Sequence, residues 1–326
     1  MAGPRIAVAG AGSIGCFVGG CLVDAGWDVR FLGRARVADA CAADGLRLTD
    51  YGGLDLHLSD LKVHVDPGEA LQGADIVLVC VKSGGTSDVA SLIAAHTPQA
   101  QVISLQNGVT NAAKLRAALP GADVRAAMVP FNVAVKGPAA YHRATSGDIL
   151  LEAGPMPDLS SDHLTFAQHP DIAGVQWGKL LINLGNAINA LSDMPLLEQL
   201  QDRAWRRLMA DQMAEALRVL KAAGILPLGT TAVPPRLIPY ILRLPTPLFR
   251  RIAAQMLTID AQARSSMWDD LTQGRPTEVD ALQGAILELA ALHGRQAPLN
   301  ARMRALIKDA EGKGPPGFSP TQIRQG

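Results

Sequence analysis

Four features of this 326-residue chain pair residue types with spacings suited to chemistry. Gly10-Ala11-Gly12-Ser13-Ile14-Gly15 follows a short apolar run and opens a helical one. In that setting the first glycine permits a tight turn, the second lets backbone approach a pyrophosphate, and the third lets helix and strand pack closely. The helix start at Ser13 and Ile14 then offers unpaired amides to an anion. Next, the run ending Phe31-Leu32-Gly33-Arg34 carries no carboxylate where an NAD site presents one to the ribose hydroxyls. Arg34 suits a 2′-phosphate instead, which predicts NADPH/NADP over NAD, with a solvated surface arginine as the plain alternative.

The third feature is a polar line in Trp177 to Leu191. At about 100° per residue, Asn183 falls about 40° to one side of Lys179 and Asn186 about 20° to the other, while Asn189 lies about 80° away. Asparagine is a mediocre helix former, so Lys179, Asn183 and Asn186 suggest a face turned to a cleft; an ordinary amphipathic helix is the alternative. The fourth is Glu278, in Gly274-Arg275-Pro276-Thr277-Glu278-Val279-Asp280. Thr277 reads as an N-cap with Asp280 as its capping-box partner, which puts Glu278 in the first helical turn. On the residues alone a place at the helix dipole is favoured over a chemical role for this carboxylate. Ser265-Ser266-Met267, ahead of Trp268-Asp269-Asp270, reads likewise as loop and capping chemistry.

These residues need elements to hold them. Ile6 to Ala9 and Asp28 to Leu32 read as strands, Ile14 to Ala25 and Val37 to Ala43 as helices, and Leu46 to Leu58 as two short strands around Tyr51-Gly52-Gly53. Ile76 to Val81 is a continuous apolar run, as in a strand buried on both faces. Val89 to Ala95, Gln101 to Leu105 and Asn111 to Leu119 continue as helix, strand, helix. Such alternation predicts a parallel sheet covered on both sides, closed by partly antiparallel strands between Val129 and Glu152. From about Val175 helical stretches take over: Trp177 to Leu191, Asp202 to Ala223, Leu248 to Asp270 and Glu278 to His293. The expected organisation is a domain over 1–170, a helical domain over 171–312, and a disordered tail over 313–326 rich in Gly and Pro.

Composition narrows the function. Lys plus Arg and Asp plus Glu both number 30, so no basic surplus favours nucleic acid as a partner. The uncharged run Ile6 to Val23 is short for a membrane span and broken by glycines, so neither a span nor a signal peptide is expected. Cys16, Cys21, Cys41 and Cys80 have no metal-ligand spacing, which predicts no metal, free thiols and a cytoplasmic location.

Taken together, the glycine loop, Val81-Lys82-Ser83, Leu105-Gln106-Asn107-Gly108, Trp177-Gly178-Lys179-Leu180 with Asn183, Ser266-Met267 with Asp270, and Gly274 to Asp280 resemble the ketopantoate reductase (2-dehydropantoate 2-reductase) family, in its order and from about residue 6 to 309. The resemblance implies an α/β fold: an N-terminal Rossmann-type dinucleotide-binding domain followed by an all-helical C-terminal domain, with NADPH and a small 2-oxo acid meeting in the cleft between them. It implies that Lys179 and Glu278 are catalytic, and that Gly10, Gly12, Ser13, Ile14, Gly15, Arg34, Lys82 and Asn107 hold the cofactor. Asn107, Lys179, Asn183, Asn186, Ser266 and Glu278 are then expected on the substrate. The implied reaction is reduction of the C2 ketone of 2-dehydropantoate to (R)-pantoate, as in pantothenate biosynthesis, with Lys179 giving the proton and Glu278 holding its ammonium or the substrate's 4-hydroxyl. One departure stands out: many members carry a second asparagine eight residues after the lysine, where this chain has Ala187. A reductase of the same fold acting on another 2-oxo acid, and an NADPH-sensing binding protein without turnover, are the rival readings. A homodimer is left open, because sequence does not separate exposed apolar patches from core.

Overall fold

The computed structural model describes residues 3–229, 233–254 and 261–325. The chain divides into two compact units, the first running through Ile172 and the second beginning at Ala173.

The first unit holds strands β1 (Ile6–Ala9), β2 (Val29–Leu32), β3 (Leu46–Asp50), β4 (Asp55–Leu58), β5 (Lys62–His64), β6 (Ile76–Val79), β7 (Gln101–Ser104), β8 (Val124–Met128), β9 (Val133–Gly137), β10 (Ala140–Arg143), β11 (Ile149–Glu152) and β12 (Phe166–His169). Its helices are α1 (Ser13–Asp24), α2 (Ala35–Asp44), α3 (Pro67–Leu71), α4 (Thr86–His96) and α5 (Asn111–Ala118). The main sheet has the order β12-β11-β8-β7-β6-β1-β2-β5. Its pairings from β5 to β8 are parallel, and β11 closes it antiparallel to β8. A smaller sheet runs β4-β3-β10-β9.

The central strands explain the parallel arrangement. Every residue of β1 and β6 is buried, as required of strands covered on both faces. Successive side chains then serve opposite cores: Ile6, Val8 and Leu78 pack with Phe17 and Phe31 on one face, while Ala7, Ala9, Val77 and Val79 pack with Ile93 and Leu115 on the other. Full burial of each large aliphatic side chain contributes about 1.5–3 kcal/mol. Leu46, Leu48 and Tyr141 of the small sheet join the first of these cores, so the Leu46–Leu58 hairpin covers a face and does not extend the main sheet. β5, β8 and β12 were not expected; β5 and β12 are short edge strands with polar residues, and β8 is a buried strand just ahead of the expected closing strands.

The second unit is helical: α6 (Ile172–Asn183, starting one residue before it), α7 (Gly185–Ser192), α8 (Leu196–Gln201), α9 (Arg203–Ala222), α10 (Ile238–Arg243), α11 (Thr246–Ile252), α12 (Ser266–Thr272), α13 (Ala285–Leu292), α14 (Pro298–Ala310) and α15 (Pro320–Arg324). No described helix is long and apolar enough to cross a membrane.

Three expectations change here. The single helix expected over Leu248 to Asp270 is not formed: α11 stops at Ile252, and Ser265 caps a separate α12 by accepting the Trp268 amide. Residues 255–260 of that expectation lie outside the described residues. The run from Trp177 to Leu191 is interrupted at Leu184. The tail expected to be disordered is ordered, because Ile323 of α15 is fully buried, Ser319 and Gln322 form a capping box, and the Phe318 amide donates to the Leu191 carbonyl at 2.8 Å.

Candidate functional site

In the first unit the candidate residues sit at the carboxyl ends of parallel strands, where ligands of open α/β sheets bind. Gly10 leaves β1 with φ +116°, a conformation that favours glycine, and a Cβ there would lie 2.8 Å from the Val81 amide nitrogen. A Cβ on Gly15 would lie 2.1 Å from the Gly10 carbonyl oxygen. Gly12 is different: it is exposed, and beyond its chain neighbours a Cβ would meet nothing within 4 Å among the described residues. Gly12 is the N-cap of α1, and no side chain caps that helix. The first-turn amides at Ser13, Ile14 and Gly15 thus stand at the positive end of a helix beside an open cradle. A dinucleotide pyrophosphate fits this place.

Past β2, Gly33 leads into Arg34, which is exposed at the N-cap of α2. A Cβ on Gly33 would lie 2.9 Å from the Ala11 Cβ, so the close approach of these two turns needs glycine here.

The loops after β6 and β7 carry Lys82 and Asn107, both exposed. Buried amides and hydroxyls clamp these loops together. Gln106 Nε2 donates to the Val81 carbonyl at 3.0 Å and to Thr86 Oγ1 at 2.8 Å. Asn111 Nδ2 donates to the Asn107 carbonyl at 2.6 Å and to Ser83 Oγ at 3.0 Å, and its Oδ1 accepts from Thr86 Oγ1. Thr86 and Asn111 were not singled out in the sequence; the one signal was a polar residue opening a helix four residues after Asn107.

In the second unit Lys179 and Asn183 lie on α6 and Asn186 on α7, all three half-buried. A Cβ on Gly178 would lie 1.7 Å from the Leu228 carbonyl oxygen, so the glycine before Lys179 lets the 228 backbone press against the helix. Desolvation brings the Lys179 ammonium from its ordinary 10.5 down to about 8.

Asn189 plays a different part from its neighbours. It is fully buried, its Nδ2 donates to the Met194 carbonyl at 2.8 Å and Gln199 Oε1 at 2.9 Å, and its Oδ1 accepts the Ser265 amide. Ser265 Oγ donates in turn to the Asn186 carbonyl at 3.1 Å. These bonds fix the start of α12, where Ser266 is exposed.

Glu278 is half-buried at the end of a braced turn. Asp270, buried, pairs with Arg275 at 3.1 Å and accepts that residue's amide on its backbone carbonyl. The expected capping box is absent. The Thr277 amide and hydroxyl both donate to Glu311 Oε1, at 3.0 and 2.7 Å, and Asp280 is taken by Arg304 and Lys308. The helix opens instead as a π turn over Asp280–Gly284.

The cysteines stand apart from this chemistry. Burial pushes the Cys16 and Cys21 thiols up to about 12, which leaves them poor nucleophiles.

Comparison with known proteins agrees with the two-part organisation. The family model described as Ketopantoate reductase PanE/ApbA matches residues 6–155, and that described as Ketopantoate reductase PanE/ApbA C terminal matches residues 171–311. The chain is 27% identical over 322 residues to a 2-dehydropantoate 2-reductase of Halobacterium salinarum, covering 95% of this chain and 100% of that one. Among solved structures it is similar to a PanE/ApbA family ketopantoate reductase from Ralstonia eutropha, with 29% identity, TM-score 0.78, and coverage of 95% of this chain and 99% of that one. A D-mandelate dehydrogenase solved with NADH and anilino(oxo)acetate shares the fold at 18% identity and TM-score 0.77, over 95% of this chain and 99% of that one.

Proposed function

This chain belongs to the ketopantoate reductase family of oxidoreductases, and from that premise we propose that it reduces the C2 ketone of 2-dehydropantoate to (R)-pantoate with NADPH. The observation that carries the reading is the half-buried Lys179 amine, drawn down to about 8 by desolvation, on the helix that also carries Asn183.

Gly10, Gly12, Gly15 and the amides at Ser13 and Ile14 would hold the pyrophosphate, Arg34 the 2′-phosphate, and Lys82 and Asn107 the nicotinamide end. When bound, NADPH supplies the hydride. Lys179 does the rest of the bond chemistry: with its pKa near 8 it is about 90% protonated at pH 7, and it gives a proton to the oxygen that gains charge. Its positive charge also stabilises that oxygen before transfer is complete. Asn183, Asn186 and the Ser266 hydroxyl orient the acid through neutral hydrogen bonds, which lowers the barrier by fixing a reactive geometry. Glu278 takes the substrate's 4-hydroxyl.

A second reading, another 2-oxo acid, is favoured by one observation. Ala187 is fully buried and offers no polar group where many family members carry asparagine. The D-mandelate dehydrogenase likeness adds that the fold alone does not choose the acid. Steady-state loss of NADPH absorbance with 2-dehydropantoate, set against a panel of aliphatic and aromatic 2-oxo acids, tests both. A higher kcat/KM for any other acid would replace the first reading by the second, and NADPH binding without turnover of any acid would remove both.

A further inference from the structure

Two helical irregularities of the second unit meet at one hydrogen bond. The helical course bearing Lys179 and Asn183 is interrupted at Leu184, and the course bearing Glu278 widens into the Asp280–Gly284 π turn. Gln283, on that turn, is wholly buried, and its Nε2 donates to the Leu184 carbonyl at 3.0 Å. Lys179 lies five residues before Leu184, and Glu278 five before Gln283. Lys179 is therefore roughly 7.5 Å of helix rise from that bond, and Glu278 stands just ahead of the π turn that carries its donor.

Packing does not account for a glutamine here. Its Oε1 is buried with no hydrogen-bond partner among the described residues, a cost that a methionine of similar length would avoid. π turns inside α-helices recur at functional sites, and this one carries a side chain that grips the neighbouring helix at its own irregular point.

We infer that Gln283 is a positioning residue for the reduction: its amide sets the spacing between the helix bearing Lys179 and the turn bearing Glu278. The inference rests on the reductase reading above. Gln283 acts through the Leu184 backbone and the π turn, and it needs no contact with the substrate.

Gln283→Met keeps the length and removes the donor. The expected result is a thermal midpoint near that of the parent, kcat lower by about tenfold or more, and an unchanged KM for NADPH. The Lys179 amine, followed by NMR titration of its ε-carbon signal, should move up by about half a unit or more as solvent reaches it. Gln283→Asn keeps the donor on a shorter arm and should fall between the two, and it carries the same measurements should the methionine variant not fold. A folded variant with parental kcat and an unmoved Lys179 titration overturns the inference. So does a loss of kcat, NADPH binding and thermal stability in parallel, which would mark a merely structural role. Should the parent turn over no 2-oxo acid, the reductase reading falls by itself, while the Lys179 titration still decides whether Gln283 governs the surroundings of that amine.

Discussion

Asn189 Oδ1 accepts the Ser265 amide hydrogen at 2.8 Å across 76 residues of sequence. The asparagine lying off the expected Lys179 line is thus a pin that ties the start of α12 to α7, and the two asparagines nearer the lysine are half-buried. Replacing Asn189 by alanine orphans the buried Ser265 amide and strips two further bonds. The variant should lose about 2–4 kcal/mol of stability in a urea titration. Because Ser266 is the next residue, KM for the acid should rise more than KM for NADPH.

The Lys179 assignment is tested by substitution and by pH. Lys179→Ala should lower kcat by about 10²- to 10⁴-fold while NADPH binding, followed by fluorescence, is kept. Reduction needs the protonated amine, and desolvation lowers its pKa to about 8. Activity should therefore be level below that value and fall as pH rises through it. A rate that climbs between pH 7 and 9 would assign the proton to another group.

Gly12 and Gly15 separate cofactor contact from packing. Gly12 has ordinary extended backbone and open space around a Cβ, so Gly12→Ala should fold with an unchanged melting temperature yet bind NADPH weakly. Gly15→Ala drives a Cβ into the Gly10 carbonyl and should cost about 3 kcal/mol or more of stability. Equal NADPH affinity in Gly12→Ala and the parent would take the pyrophosphate away from this loop.

Arg34→Ala tests the dinucleotide choice. Hydrogen bonds to a charged phosphate are worth about 1.5–3 kcal/mol, so KM for NADPH should rise roughly 10- to 100-fold with little change for NADH. A parent protein with equal KM values for the two would leave Arg34 without this role.

Sequence made some of this legible for reasons that are local. The loop from Gly10 to Gly15 is readable because its glycine spacing falls between an apolar strand and a helix, although only Gly15 meets its steric demand nearby, at the Gly10 carbonyl. Lys179 and Asn183 are readable as neighbours because they lie four residues apart on one helix, whereas Asn186 falls past its end. What stayed hidden depends on partners far along the chain. Asn111 and Thr86 look like ordinary helix-start residues until the 83 and 107 loops close on them. Asp280 looks like a capping partner of Thr277 until α14 delivers Arg304 and Lys308, and the chain beyond it brings Glu311 to Thr277. The break at Leu184 leaves only a faint mark in the sequence, Gly185 beside it, since leucine itself is a good helix former.

The ordered C-terminal segment makes the protein vulnerable to trimming. With the Phe318 amide on the Leu191 carbonyl of α7, and Arg324 on Asp211 of α9, the segment from Phe318 to Arg324 buttresses both helices. A carboxypeptidase nibbling back past Ile323 would loosen the end of α7 and, through Asn189 and Asn186, the ledge on which Ser266 stands.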